Sequence, residues 1–183
     1  MEIDTNSLLL ITGGMGSGKT SILAEASDLL ALRRIAHASI DLDALGLAFL
    51  PSAASRDDAM YANLRAVCKN YARLGVDRFL VARAVEDQAE LEICRNAVSA
   101  TDVVVCRLVS SDETMLQRVE ERETGTSRVK YIARATELNL ILDRARLEDF
   151  KISNENRSLT EVAFEMLVRA AWISSDPPLT EDQ

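Results

Sequence analysis

Gly13-Gly14-Met15-Gly16-Ser17-Gly18-Lys19-Thr20 holds the densest chemistry in this sequence. Two glycines bracket four residues, and a lysine and a hydroxyl residue follow at once, the spacing Gly-x-x-x-x-Gly-Lys-[Ser/Thr]. Glycine backbone wraps closely and takes dihedrals closed to side chains, so successive N–H groups converge on phosphate oxygens. A helix opening at that point adds unsatisfied N–H groups and the positive end of its dipole. Lys19 places a point charge on β- and γ-phosphates. The Thr20 hydroxyl suits magnesium, which otherwise leans on phosphate oxygens and water. The expected triphosphate contacts are Gly13, Gly14, Met15, Gly16, Ser17, Gly18, Lys19, Thr20 and Ser21, with ATP or GTP and Mg2+ as ligands. A chance match in a chain this long is on the order of 1% or less, so an accidental glycine turn is set aside.

Such a loop needs a buried strand before it and a helix after it. Ser7 to Thr12 is a continuous apolar run, the pattern of a strand covered on both faces, and a helix pattern follows from about Lys19 to Arg33. Further strands are expected at Ile35 to Leu42, Arg78 to Val85, Asp102 to Val109 and Asp149 to Ser153. Helices are expected at Arg56 to Leu74, Glu86 to Val98, Ser110 to Glu123 and Tyr131 to Leu147, with a last one after Ser158. Ser110 with Glu113 and Ser158 with Glu161 read as capping boxes. Met60, Leu64, Val67, Tyr71 and Leu74 form one predicted core stripe, and Leu159, Val162, Ala163, Met166, Leu167 and Ala170 another. Thr124 to Lys130 is a polar, glycine-containing break. Alternating strands and helices predict an α/β three-layer sandwich with a mainly parallel five-stranded sheet, its ligands beyond the carboxyl ends of the strands. One domain over residues 1–173 and a flexible tail over 174–183 are expected.

The 183 residues are 48% apolar and 27% charged, with a net charge of −8, the balance of a globular chain with its own core. That acidity, without a run of Lys or Arg, argues against nucleic acid as a partner. No stretch nears the roughly 20 apolar residues of a bilayer span, and MEIDTN lacks the order of a secretory signal. Cys68, Cys94 and Cys106 sit in apolar stretches with neither pairing arithmetic nor metal spacing, as reduced core thiols of a cytoplasmic protein would. His37, the one histidine, reads as packed, and Trp172 as packing the last helix.

With the glycine loop, this order of elements resembles the P-loop kinases of small molecules, which include nucleotide, shikimate and adenylylsulfate kinases. The resemblance runs to about Trp172 and implies the nucleotide-kinase-like P-loop fold with a short lid at about 123–130. Asp41-x-Asp43 is similar to a D-x-D that serves the acceptor hydroxyl and the magnesium shell in shikimate-kinase-like members. The resemblance thus implies Asp41 and Asp43 as catalytic carboxylates and Thr20 and Asp43 at the metal, beside a plainer reading as solvated or turn-capping acids. Arg118-x-x-x-Arg122 is similar to the R-x-x-x-R that enters the lid in nucleotide kinases, the first arginine stacking on adenine and the second reaching phosphate. Surface pairs with Glu120, Glu121 and Glu123 are the alternative. Arg128 in the lid is the implied cation for transition-state charge, with Arg134 behind it. The loop from Ser153 to Arg157, with Asn156, is the implied adenine pocket.

One departure is plain. An aspartate commonly ends the third strand in nucleotide kinases, whereas Ala82, Arg83 and Ala84 stand here. Arg83 then binds an anionic group of the acceptor or lies in solvent. Asn63 and Asn70 flank their helix stripe as acceptor contacts or as ordinary boundary residues. The expected activity is ATP-dependent phosphoryl transfer to a small-molecule acceptor by a monomer or homodimer. A P-loop ATPase or switch acting on a protein partner, and a sensor without turnover, are the competing readings.

Overall fold

The computed structural model describes residues 5–51, 55–122 and 128–175. Five parallel strands make one sheet in the order β2-β3-β1-β4-β5. In chain order the strands are β1 (Asn6–Gly13), β2 (Ala38–Asp41), β3 (Arg78–Ala82), β4 (Ala100–Val109) and β5 (Phe150–Ser153). The helices are α1 (Lys19–Leu32), α2 (Leu42–Leu45), α3 (Arg56–Ala72), α4 (Gln88–Val98), α5 (Asp112–Arg122), α6 (Arg128–Ala145) and α7 (Leu159–Arg169).

The apolar run of β1 works in two directions. Leu8 and Leu10 pack with Leu64 of α3 and Cys94 of α4, while Leu9 and Ile11 pack with Ile22 of α1 and Val162 of α7. Alternate residues of one strand thereby tie two helical layers to one sheet. Burial pushes the thiols of Cys68, Cys94 and Cys106 up to about 12, so all three stay protonated and inert at neutral pH. Trp172 is buried against the α1–α7 layer.

Several local expectations shift. The buried face of α3 runs through Met60, Tyr61, Leu64 and Cys68. Tyr71 is 42% exposed and Leu74 also lies outside, because Tyr61 turns inward to donate its hydroxyl to Glu90 Oε1 at 2.5 Å. The α5 cap is Ser111 rather than Ser110, its Oγ accepting the Thr114 N–H at 3.2 Å. Strand β2 begins at Ala38, after Arg34 takes a positive φ of 55°. His37 precedes it, half-buried, with one ring nitrogen 2.8 Å from Ser27 Oγ and the other 2.8 Å from the Ile35 carbonyl. Residues 123–127 of the expected lid and 176–183 of the expected tail lie outside the described residues, and α6 starts at Arg128, three residues before the expected helix.

The capping box on α7 is complete. Ser158 Oγ accepts the Glu161 N–H at 3.2 Å, and Glu161 Oε2 accepts the Ser158 N–H at 2.9 Å. Leu159, expected in the apolar stripe, is 46% exposed instead, since the first helical residue faces outward from the cap. Ser158→Ala should cost about 1 kcal/mol. At this chain length a thermal melt should register that as a drop of about 2–4 °C.

Candidate active site

At the carboxyl end of β1 the chain turns through the glycine loop and enters α1. Gly18 caps the helix in left-handed conformation, φ 83° and ψ 17°, which side chains other than glycine take at a cost. Gly14 lies close under α6: a Cβ there would come 2.2 Å from Asn139 Oδ1, so that side chain would have to move. Ser17 is fully buried beneath the loop. Lys19 Nζ donates to the carbonyls of Gly13 and Gly14, 2.9 Å each, so the ammonium is held across the loop it serves.

A cavity of about 290 Å3 opens over this loop, lined by Met15, Gly16, Gly18, Lys19, Thr20 and Ser21 together with Asp43 and Arg118. Segments about a hundred residues apart thus converge on the glycine loop at the strand ends, where the fold favours ligands. The two aspartates divide. Asp41 Oδ2 accepts the Thr20 hydroxyl at 2.7 Å, and its Oδ1 accepts the Asp43 N–H at 3.1 Å as the cap of α2. Asp43 faces the cavity and accepts from Arg83 Nη1.

Arg83 leaves the end of β3 without pointing into solvent. Its Nε donates to Glu90 Oε1 at 3.1 Å, and its Nη2 lies 4.0 Å from Asp57 Oδ1. Burial works against the guanidinium charge, but the Asp43 and Glu90 carboxylates outweigh it and hold Arg83 above its ordinary pKa. Arg134 on α6 pairs with Glu137 at 2.8 Å and with Glu86, and the Glu137 hydrogen bond holds it likewise above the ordinary value. Asn63 donates to the Leu45 carbonyl at 2.9 Å and ties α2 to α3.

Arg118 reaches the phosphate loop through Nη1, 3.3 Å from the Gly16 carbonyl and 3.3 Å from Asn154 Oδ1. In the loop from Ser153 to Arg157 implied as the adenine pocket, Asn154 is the residue that reaches the glycine loop. It is buried at the end of β5, and its Nδ2 donates to the Ser17 carbonyl at 2.6 Å. Nothing local marks it, since its partners lie 36 and 137 residues away. Asn156, two residues on, is exposed in a turn with φ 56° and is not among the residues lining the cavity. The turn is fixed by Glu155, which accepts the hydroxyls of Ser111 at 2.6 Å and Thr114 at 2.8 Å. Arg122 closes α5 and Arg128 opens α6, and both side chains lie outside the described residues. Asn154→Ala should strip a partner from the Ser17 carbonyl and from Arg118 at a cost of about 1–3 kcal/mol. A lowered melting temperature with a raised KM for ATP is the expected pair of readouts.

The architecture is that of known enzymes. A gluconokinase from Sinorhizobium meliloti 1021 matches with a TM-score of 0.59 and 16% identity over 91% of this chain and 92% of its own. Shikimate kinase from Acinetobacter baumannii, solved with shikimate, matches with a TM-score of 0.58 and 16% identity over 94% and 96%. APS kinase from Mycobacterium tuberculosis, solved with AMPPNP and APS, matches with a TM-score of 0.56 and 20% identity over 92% and 99%. No protein-family model and no curated protein matches the sequence. The chain has the fold of the P-loop small-molecule kinases. No helix among the described residues is long and apolar enough to cross a membrane.

Proposed function

We propose that this chain is an ATP-dependent kinase that transfers the γ-phosphoryl group to a hydroxyl of a small molecule. The observation that carries the reading is the single cavity joining Lys19, Thr20, Arg118 and Asp43. Three of these suit a nucleotide triphosphate, and the fourth is a carboxylate beside it. The fold agrees, since its solved neighbours are kinases of small molecules.

In the proposed reaction the acceptor oxygen bonds to the γ-phosphorus as the bond to the β–γ bridging oxygen breaks. ADP leaves with that electron pair, and the hydroxyl proton passes to Asp43. Lys19 meets charge on the transferring group and on the leaving oxygen. Arg118, docked on Gly16, would meet the nucleotide, with Arg122 and Arg128 assigned to phosphate charge. Magnesium fits the donors present: Thr20 would hold it directly and Asp41, bonded to Thr20, would stand in its outer shell, both hard oxygen donors. Bound there, the ion would neutralise charge on the β- and γ-oxygens. The base role falls to Asp43 because the Asp41 carboxylate is spent on Thr20 and on the α2 cap.

A hydrolase acting on a partner protein is less well served. The end of β3 carries Ala82 and Arg83, not the acidic residue that many such enzymes use for magnesium and water. ADP formation from Mg-ATP, measured with and without a small-molecule metabolite extract, tests the proposal. A kinase is nearly silent without the extract, whereas steady turnover without it would support the hydrolase.

A further inference from the structure

Asp43 stands on a helix of four residues, with its side chain 59% exposed. A carboxylate so placed has little packing to hold it, yet a general base must stay within hydrogen-bond reach of the proton it takes. Arg83 holds it, with Nη1 donating to Asp43 Oδ1. Arg83 is itself anchored at two points. Its N–H donates to the Ile11 carbonyl at 3.1 Å, one residue beyond β3, which pins its backbone to β1. Its Nε donates to Glu90 Oε1 at 3.1 Å. Asp57, 4.0 Å from Nη2 and 69% exposed, adds charge without fixing direction.

Glu90 lies in the first turn of α4, and both of its carboxylate oxygens are occupied. Oε1 also accepts the Tyr61 hydroxyl at 2.5 Å, and Oε2 accepts the Glu86 N–H at 2.8 Å. Burial, and then the bond to Glu90, hold the Tyr61 hydroxyl above its ordinary pKa, so it remains a donor. Tyr61 belongs to the buried face of α3. A line of direct hydrogen bonds therefore joins Tyr61, Glu90, Arg83 and Asp43, running from the core to the cavity over the phosphate loop. Glu90 is not among the residues lining that cavity.

Stability is a weak reason for such a line. Taking an arginine and a glutamate out of water costs about what their attraction returns, and apolar residues of similar volume hold a core at least as well. The end of the line that meets the cavity is where fixed geometry has a use.

We propose that Glu90 is a positioning residue for phosphoryl transfer. With Tyr61 it fixes the Arg83 guanidinium, and Arg83 clamps one oxygen of Asp43 so that the other is directed at the acceptor hydroxyl. The inference rests on the kinase reading and on Asp43 as proton acceptor. It adds a residue that touches neither substrate nor nucleotide.

The test measures ADP formation from Mg-ATP with a small-molecule metabolite extract as the source of acceptor. Parent, Glu90→Ala, Asp43→Asn and the double variant are compared, with a thermal melt on each. Glu90→Ala should lower the maximal rate about 10- to 100-fold, with the KM for ATP unchanged. In the Asp43→Asn background the same substitution should change the rate by less than about twofold, because a side chain that takes no proton gains nothing from being aimed. If Glu90→Ala does not fold, Tyr61→Phe carries the cycle, with an expected loss of about 2- to 10-fold in the parent background. Equal losses in both backgrounds would overturn the proposal and leave the kinase reading intact. A lowered melting temperature at the parent rate would do the same, and would mark Glu90 as a structural residue of α4. ADP formation by the parent that the extract does not alter would overturn the kinase reading, and the proposal with it.

Discussion

Lys19→Ala should lower kcat for ATP turnover by about 10³-fold, the scale of removing one preorganised donor from a developing charge. The loss should fall on kcat more than on the melting temperature. Lys19 stands outside the core, and it donates to the Gly13 and Gly14 carbonyls of its own loop. Lys19→Arg should restore little, because a planar guanidinium replaces a compact ammonium in a loop shaped around one point. Steady-state kinetics with a thermal melt on the same samples decides the matter. A variant within about tenfold of the parent would show that the ammonium is not a transition-state group.

Asp43→Asn is the second large effect. The substitution keeps size and leaves Arg83 with Glu90 and Asp57, but removes the carboxylate among the residues that line the cavity. A general base contributes about 10²–10⁴-fold, so kcat should fall by that factor while the KM for ATP stays close to the parent value. Asp41→Asn should act differently. It disturbs Thr20 and the cap of α2, so its deficit should shrink as magnesium is raised, whereas the Asp43→Asn deficit should not. If excess magnesium rescues Asp43→Asn and not Asp41→Asn, the two roles are reversed.

The contrast between these aspartates shows where sequence reasoning stops. The glycine loop, β1 and α1 are legible because their information is local: a continuous apolar run, then a glycine spacing, then a helical period. The sheet follows from alternation of strands and helices, and the structure has it with every pairing parallel. Asp41-x-Asp43 is visible as a pair, but its division of labour is not. That division depends on a four-residue helix, α2, too short for periodicity to reveal, and on Arg83, 40 residues from Asp43.

The same holds for the α3 stripe. Tyr71 and Tyr61 sit equally well on an apolar helix face, and the choice falls to Tyr61 because Glu90 on α4 offers its hydroxyl a partner. Asn154 and Arg107 are harder still. An asparagine after a strand and an arginine within one carry no local signal, and only the folded chain brings Ser17 to the first and Asp143 to the second.

The central claim is transfer to a small acceptor rather than to water. The most direct measurement incubates the chain with magnesium and ATP labelled at the γ-phosphate, in the presence of a small-molecule metabolite extract. The fate of the label is then separated into inorganic phosphate and organic phosphate esters. The account predicts label in an ester, absent when Lys19→Ala replaces the parent and absent without the metabolites. Label released as inorganic phosphate at the same rate with or without metabolites would contradict it.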